Sequence, residues 1–143
     1  MYYRLSDRVI AELRQQAQAG APQEVCGFAF GGSHEGYLEF YTSTRVPNIS
    51  ADPTQEFLIN GHLFRHAALL AERAHLILAL WHSHPVTRPT PSKEDFALIV
   101  QLATIPFIIV GVSQPVITIY ECEDGRAREA ERLTFGEYAH AGT

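Results

Sequence analysis

The chain has 143 residues, 46% of them hydrophobic, with a formal net charge of −5 and two cysteines. That length fits one compact domain with an ordinary core. The acidic balance argues against nucleic acid or an anionic membrane as the main partner, since both attract basic patches.

Taken in chain order, Ser6 suits the N-cap of a first helix running to about Ala19, with Val9, Ile10, Leu13 and Ala17 as its apolar stripe and Gly20 as its stop. Pro22 to Phe30 reads as a loop entering a strand. Gly31 to Gly36 then turns the chain, and Tyr37 to Thr42 returns as the second strand of a hairpin. Pro47-Asn48 and Asp52-Pro53 punctuate a loop, with a short strand expected near Gln55 to Ile59. A second helix, Gly61 to Ala74, carries Leu63, Ala67, Leu70, Ala71 and Ala74 on one face.

Leu76 to Trp81 has no polar alternation, which predicts a strand covered on both faces. After Pro85, Pro89 and Pro91 a third helix starts at Ser92 and turns Phe96, Ile99, Val100 and Ala103 inward. Phe107 to Val112 and Val116 to Glu121 read as strands, and Glu123-Asp124-Gly125 as a hairpin turn. Arg126 to Leu133 fits strand or helix equally. The interleaving predicts an α/β fold: a single layered domain, with a mixed central β-sheet flanked by about three helices.

That domain is expected over residues 1–138, with a frayed tail at 139–143. The first residues carry charges where a signal peptide needs an apolar core. The longest apolar run, Leu76 to Trp81, is far short of the ~20 residues of a membrane helix. Two cysteines make no disulfide framework. A soluble cytoplasmic protein is the expectation.

The chemistry is concentrated in His82-Ser83-His84-Pro85, followed by Ser92 and Asp95. On an extended backbone His82 and His84 project to one side, and Ser83 to the other, where a structural role is expected. Asp95, on the next element, can add a third ligand and leave one tetrahedral position for water. That is the layout of a hydrolytic zinc site. Ser92-Lys93-Glu94-Asp95 also fits a capping box, and the two readings agree, because a cap holds the carboxylate on a rigid turn. A zinc-bound water still needs a base to take its proton and an acid to protonate the leaving group, and Glu24 can do both in turn.

Competing sites are weaker. His62 and His66 have the spacing of a zinc-protease pair but lack its Glu, and fit a solvated helix face. Cys26 and Cys122 read as small apolar residues. Neither H-x-E with P-C-x-x-C nor a phosphate-binding G-x-x-x-x-G-K-[ST] is present.

Pro22-x-Glu24-x-Cys26-Gly27-Phe28, then His82-Ser83-His84-Pro85, Ser92 and Asp95, resembles the JAMM (MPN-type) metalloprotease family. Pro47-Asn48, Asp52-Pro53, Phe57, the Ala-rich second helix and Pro106 to Val110 extend the likeness over roughly residues 5 to 121. The resemblance implies the cytidine-deaminase-like fold of that family. It also implies one Zn²⁺ per chain on His82, His84 and Asp95, with Glu24 as the base and Ser92 donating to the oxyanion. The substrate it implies is the amide bond after the Gly-rich C-terminal tail of a ubiquitin-like protein or sulfur carrier. The chain is short beside the eukaryotic deubiquitinases and looks more like the prokaryotic members. Phage tail-assembly peptidases and non-catalytic interaction modules of the family are the alternatives, although such modules typically lack the ligands kept here.

Overall fold

The computed structural model describes residues 2–135; the tail expected at 139–143 lies outside them. In chain order the elements are β1 (Tyr3–Leu5), α1 (Asp7–Gly20), β2 (Cys26–His34), β3 (Tyr37–Val46), α2 (Gly61–Arg73), β4 (Ile77–His84), α3 (Lys93–Gln101), β5 (Phe107–Gly111), β6 (Val116–Glu123) and β7 (Arg126–Thr134). The strands form one mixed sheet in the order β1-β3-β2-β4-β5-β6-β7. Its β1–β3 and β4–β5 pairs are parallel and the rest antiparallel. The predicted mixed α/β architecture is present.

Alternation along the strands divides the core in two. Ala79 and Trp81 of β4, with Ile108, Val110, Ile117 and Ile119, pack on the Val9, Leu13 and Ala17 stripe of α1. Leu78 and Leu80, with Phe28, Phe107 and Ile109, pack on α2 and α3 through Ala67, Ala71 and Ile99. The central strand is therefore covered on both faces, as its unbroken apolar sequence predicts.

Ser6 caps α1, its side chain accepting from the Val9 N–H at 3.1 Å. The Asp124-Gly125 turn joins β6 to β7 with both residues at positive φ (52° and 75°), the backbone a tight two-residue hairpin requires.

Several expectations need correction. Gly20 is the last residue of α1, not its stop, and its bare Cα makes room for Val25. The first hairpin turns at Glu35-Gly36, since β2 continues through Gly31 to His34. Residues 55–59 form no strand; they lie in a loop. On α2 the inward side is Phe64, Ala67, Ala68 and Ala71, while Leu63 and Leu70 are exposed. On α3 it is Asp95, Leu98 and Ile99, while Phe96 (48%) and Val100 (42%) are exposed and Ala103 lies beyond the helix. β1, too short to leave a periodic signal, was not expected.

Candidate metal centre

The His82-Ser83-His84 segment belongs to β4 itself, which runs to His84 instead of ending before the motif. His82 pairs with Cys26 of β2, so the residues just before β2 pass beside the imidazoles. Ser83 faces away and binds both backbone polar groups of Val25: its N–H donates to the Val25 carbonyl at 2.8 Å and its hydroxyl accepts from the Val25 N–H at 2.9 Å.

The adjacent Glu24 is held on both sides by the 47–58 loop. Its N–H donates to the Pro53 carbonyl at 2.7 Å, and its carbonyl accepts from Asn48 Nδ2 at 2.8 Å. Asn48 uses its remaining capacity on the same loop, donating to the Glu56 carbonyl and accepting from the Ser50 and Leu58 N–H groups, each at 3.0 Å.

His82 Nε2, His84 Nε2 and Asp95 Oδ2 close a triangle with sides of 3.0, 3.1 and 3.1 Å. Asp95 reaches it from the first turn of α3. The capping box places it there, with Ser92 Oγ accepting from the Asp95 N–H at 3.1 Å and Asp95 Oδ2 accepting from the Ser92 N–H at 3.0 Å. The three residues are buried, and so is Glu24 (8% exposed). One ligand-type atom from each of Glu24, His82 and His84 also lies within 4.8 Å of the other two. The four side chains form one cluster that could hold a metal ion, and the shorter separations make His82, His84 and Asp95 its tightest three-atom set.

The donor set fits a cation. His84 Nδ1 lies 2.7 Å from the Arg88 carbonyl, which can only accept, so the proton of a neutral His84 is on Nδ1 and its Nε2 lone pair faces the triangle. Asp95 Oδ2 is an acceptor too. His82 Nδ1 is buried without a hydrogen-bond partner among the described residues, and its ring is positioned by stacking on Phe57, with centroids 4.3 Å apart. Two inward acceptors, with at most one proton on His82 to share, leave a deficit of positive charge that a metal ion corrects.

The titration behaviour follows. Burial alone would push the Asp95 carboxyl up, but the hydrogen bonds to His82 and His84 outweigh it and hold it well below the usual carboxylate range. Burial lowers His82, with Asp95 offsetting only part. For His84 burial also works downward, but the bonds to Asp95 and the Arg88 carbonyl prevail and raise it. Burial raises Glu24 to about 7; His84 opposes this, while Asp95, Glu56 and Glu94 add to it.

All five residues singled out in the sequence meet here. Ser92 lines a narrow cleft of about 50 Å³ together with Glu24, Phe57, Glu94, Asp95 and Leu98. Two contributors had no role legible in the sequence: the Arg88 carbonyl is main chain, and Asn48 read as loop punctuation and as part of the family likeness. His62 and His66 are exposed on α2. Cys26 is buried and its thiol pushed up to about 12 by burial, which excludes a thiolate nucleophile at neutral pH.

A layered α/β domain with a His/His/carboxylate cluster at the end of its central strand defines a candidate metalloprotein. The chain belongs to the family of prokaryotic homologues of the JAB domain, whose model matches residues 6–123. Solved structures share the fold. Protein DSY2949 from Desulfitobacterium hafniense is 21% identical with a TM-score of 0.68, covering 90% of each chain. A protein from Salinibacter ruber is 19% identical with a TM-score of 0.65, covering 93% of this chain and 92% of its own. AF2198, a JAB1/MPN domain protein from Archaeoglobus fulgidus, is 16% identical with a TM-score of 0.60, covering 91% and 94%. No curated protein matches the sequence. Among the described residues no helix is long and apolar enough to cross a membrane.

Proposed function

We propose that the chain is a zinc-dependent hydrolase that cleaves the amide bond after the C-terminal tail of a ubiquitin-like protein or sulfur carrier in the cytoplasm. The observation that carries this reading is the buried Glu24 carboxyl, in one cluster with the His82, His84 and Asp95 ligand atoms. The family includes metalloisopeptidases, which supports the same class of reaction. His82, His84 and Asp95 would hold one zinc ion. When bound there, zinc polarises a carbonyl and brings the pKa of water to ~7.

Glu24, the carboxyl beside the ligand atoms, takes a proton from the attacking water and returns it to the leaving amine. Ser92 Oγ accepts from the Asp95 N–H and keeps its own hydrogen to donate to the oxyanion that develops on the carbonyl. The Arg88 carbonyl fixes the tautomer of His84, and Phe57 fixes the ring of His82.

The test is to measure zinc per chain, then to assay a ubiquitin-like fusion with a Gly-Gly junction, with and without a chelator. One zinc per chain and chelator-sensitive cleavage at the junction are expected. Stoichiometric zinc with no cleavage of any tail would instead assign a binding role.

A further inference from the structure

Setting tyrosine, tryptophan and cysteine aside, the polar side chains buried among the described residues are Glu24, His82, Ser83, His84, Asp95 and Thr118. The first five build or tether the metal cluster. Thr118 lies on β6, two strands from the histidines. It pairs with Ile109 of β5, which pairs with His82 of β4, so the three stand in one row on the face that carries the cluster.

Thr118 Oγ1 donates to the Pro89 carbonyl at 2.6 Å, in a buried bond. The loop that leads from His84 to Ser92 exposes Val86, Thr87, Arg88 and Thr90 but buries Pro89. One carbonyl earlier, that of Arg88 is the acceptor 2.7 Å from His84 Nδ1. The Pro89 ring fixes one of the two torsions between these carbonyls. The Thr118 bond holds the second carbonyl, and through it the first.

We propose that Thr118 is a positioning residue for the metal centre, acting through Pro89 to keep the Arg88 carbonyl on His84 Nδ1. The inference rests on the metal site of the hydrolase reading and adds a support to it from a strand that holds no ligand. Loss of the acceptor on a ligand histidine's other nitrogen typically costs roughly 10–100-fold in metal affinity. Here that acceptor is main chain at an exposed residue, so its place is set from elsewhere. Packing alone would be served equally by valine, which has the same shape and no hydroxyl to desolvate. The hydroxyl is tolerated in this apolar row because it is bonded to Pro89.

The test measures the zinc dissociation constant by competition with a chromophoric chelator, and exchange of the His84 Nδ1 proton in the zinc-loaded protein by NMR. Thr118→Val is expected to weaken zinc binding roughly tenfold and to speed that exchange. Thr118→Ser, which keeps the hydroxyl, restores both. Pro89→Ala frees the torsion without touching Thr118 and shifts both in the same direction, which provides a second measurement should Thr118→Val fail to fold. Ser113→Ala is the control: the Ser113 hydroxyl donates to the Val86 carbonyl of the same loop at 2.8 Å, and its loss leaves zinc affinity unchanged. Parent affinity in Thr118→Val, no rescue by Thr118→Ser, or an equal loss in Ser113→Ala would overturn the positioning role. Thr118-dependent zinc binding with no cleavage of a ubiquitin-like fusion would overturn the hydrolase reading and leave the positioning role standing.

Discussion

Ser83 holds both backbone groups of Val25, accepting from its N–H at 2.9 Å and donating to its carbonyl at 2.8 Å. It does so from the face of β4 opposite His82 and His84, and this ties the chain beside Glu24 to the strand that carries both imidazoles. Ser83→Ala leaves the buried Val25 N–H unsatisfied, which costs about 1–3 kcal/mol. Urea unfolding should show that loss while zinc content is unchanged; an unaltered midpoint would refute the assigned role.

Removing a ligand and removing the base should have different consequences. On the proposed reading, His82→Ala or Asp95→Ala should lose zinc, and Glu24→Ala should keep the metal and lose turnover. Metal analysis that found full zinc in His82→Ala would sink the ligand assignment.

Glu24 also predicts the pH dependence of the metal-free fold. Its carboxyl ionises near 4.5 in the unfolded chain and near 7 in the folded one. Between those values unfolding releases a proton, so stability falls as pH rises and levels off above 7. Glu24→Gln removes that penalty. With chelator present, its melting temperature should match the parent near pH 4.5 and exceed it by a growing margin up to about 7. A margin independent of pH would contradict the burial of this carboxyl.

On the proposed hydrolase reading Ser92 has two functions, which one substitution pair can separate. Ser92→Ala removes the N-cap of α3, at a cost of about 1 kcal/mol, and the oxyanion donor, at about 10²–10³ in rate. Ser92→Asp restores a cap acceptor without a donor hydroxyl at neutral pH. Thermal melts should therefore recover in Ser92→Asp while hydrolysis of the fusion substrate does not.

Gly27 is bare because the sheet has no space there: a Cβ would lie 1.9 Å from the Thr44 carbonyl oxygen and 2.7 Å from the Trp81 indole nitrogen. Trp81 uses that space to donate to the Thr44 carbonyl at 3.1 Å. Gly27→Ala should destabilise the fold by roughly 1–3 kcal/mol, read from the unfolding midpoint. A wild-type midpoint would show that β2 yields there at no cost.

The central strand, the two histidines and the Ser92–Asp95 turn were legible because each leaves a dense local pattern: an unbroken apolar run, an H-x-H pair, a capping box; Glu24 leaves none and was reached through the base that such a site needs. The rotation of α3 was not. Counting apolar residues turns Phe96 and Val100 inward, but Asp95 must face the two imidazoles, and that requirement sets the helix face. Leu98 and Ile99 follow it in, and Phe96 and Val100 are left outside. On α2 seven of the thirteen positions are Ala, Leu or Phe, and Ala67 to Ala71 run without a polar break, so the stripe had no unique solution. The loop at 55–59 looked like a strand because its Phe57-Leu58-Ile59 run is apolar; Asn48, through hydrogen bonds to residues 56 and 58, holds it in another shape.

Of the nine residues in α3, only Asp95 and Ile99 are buried. An ion gripping Asp95 and both histidines therefore stitches that helix onto the sheet. Stripping the ion would undo a seam of the architecture as well as silence the chemistry, and a domain this small would register metal starvation as a loosened helix.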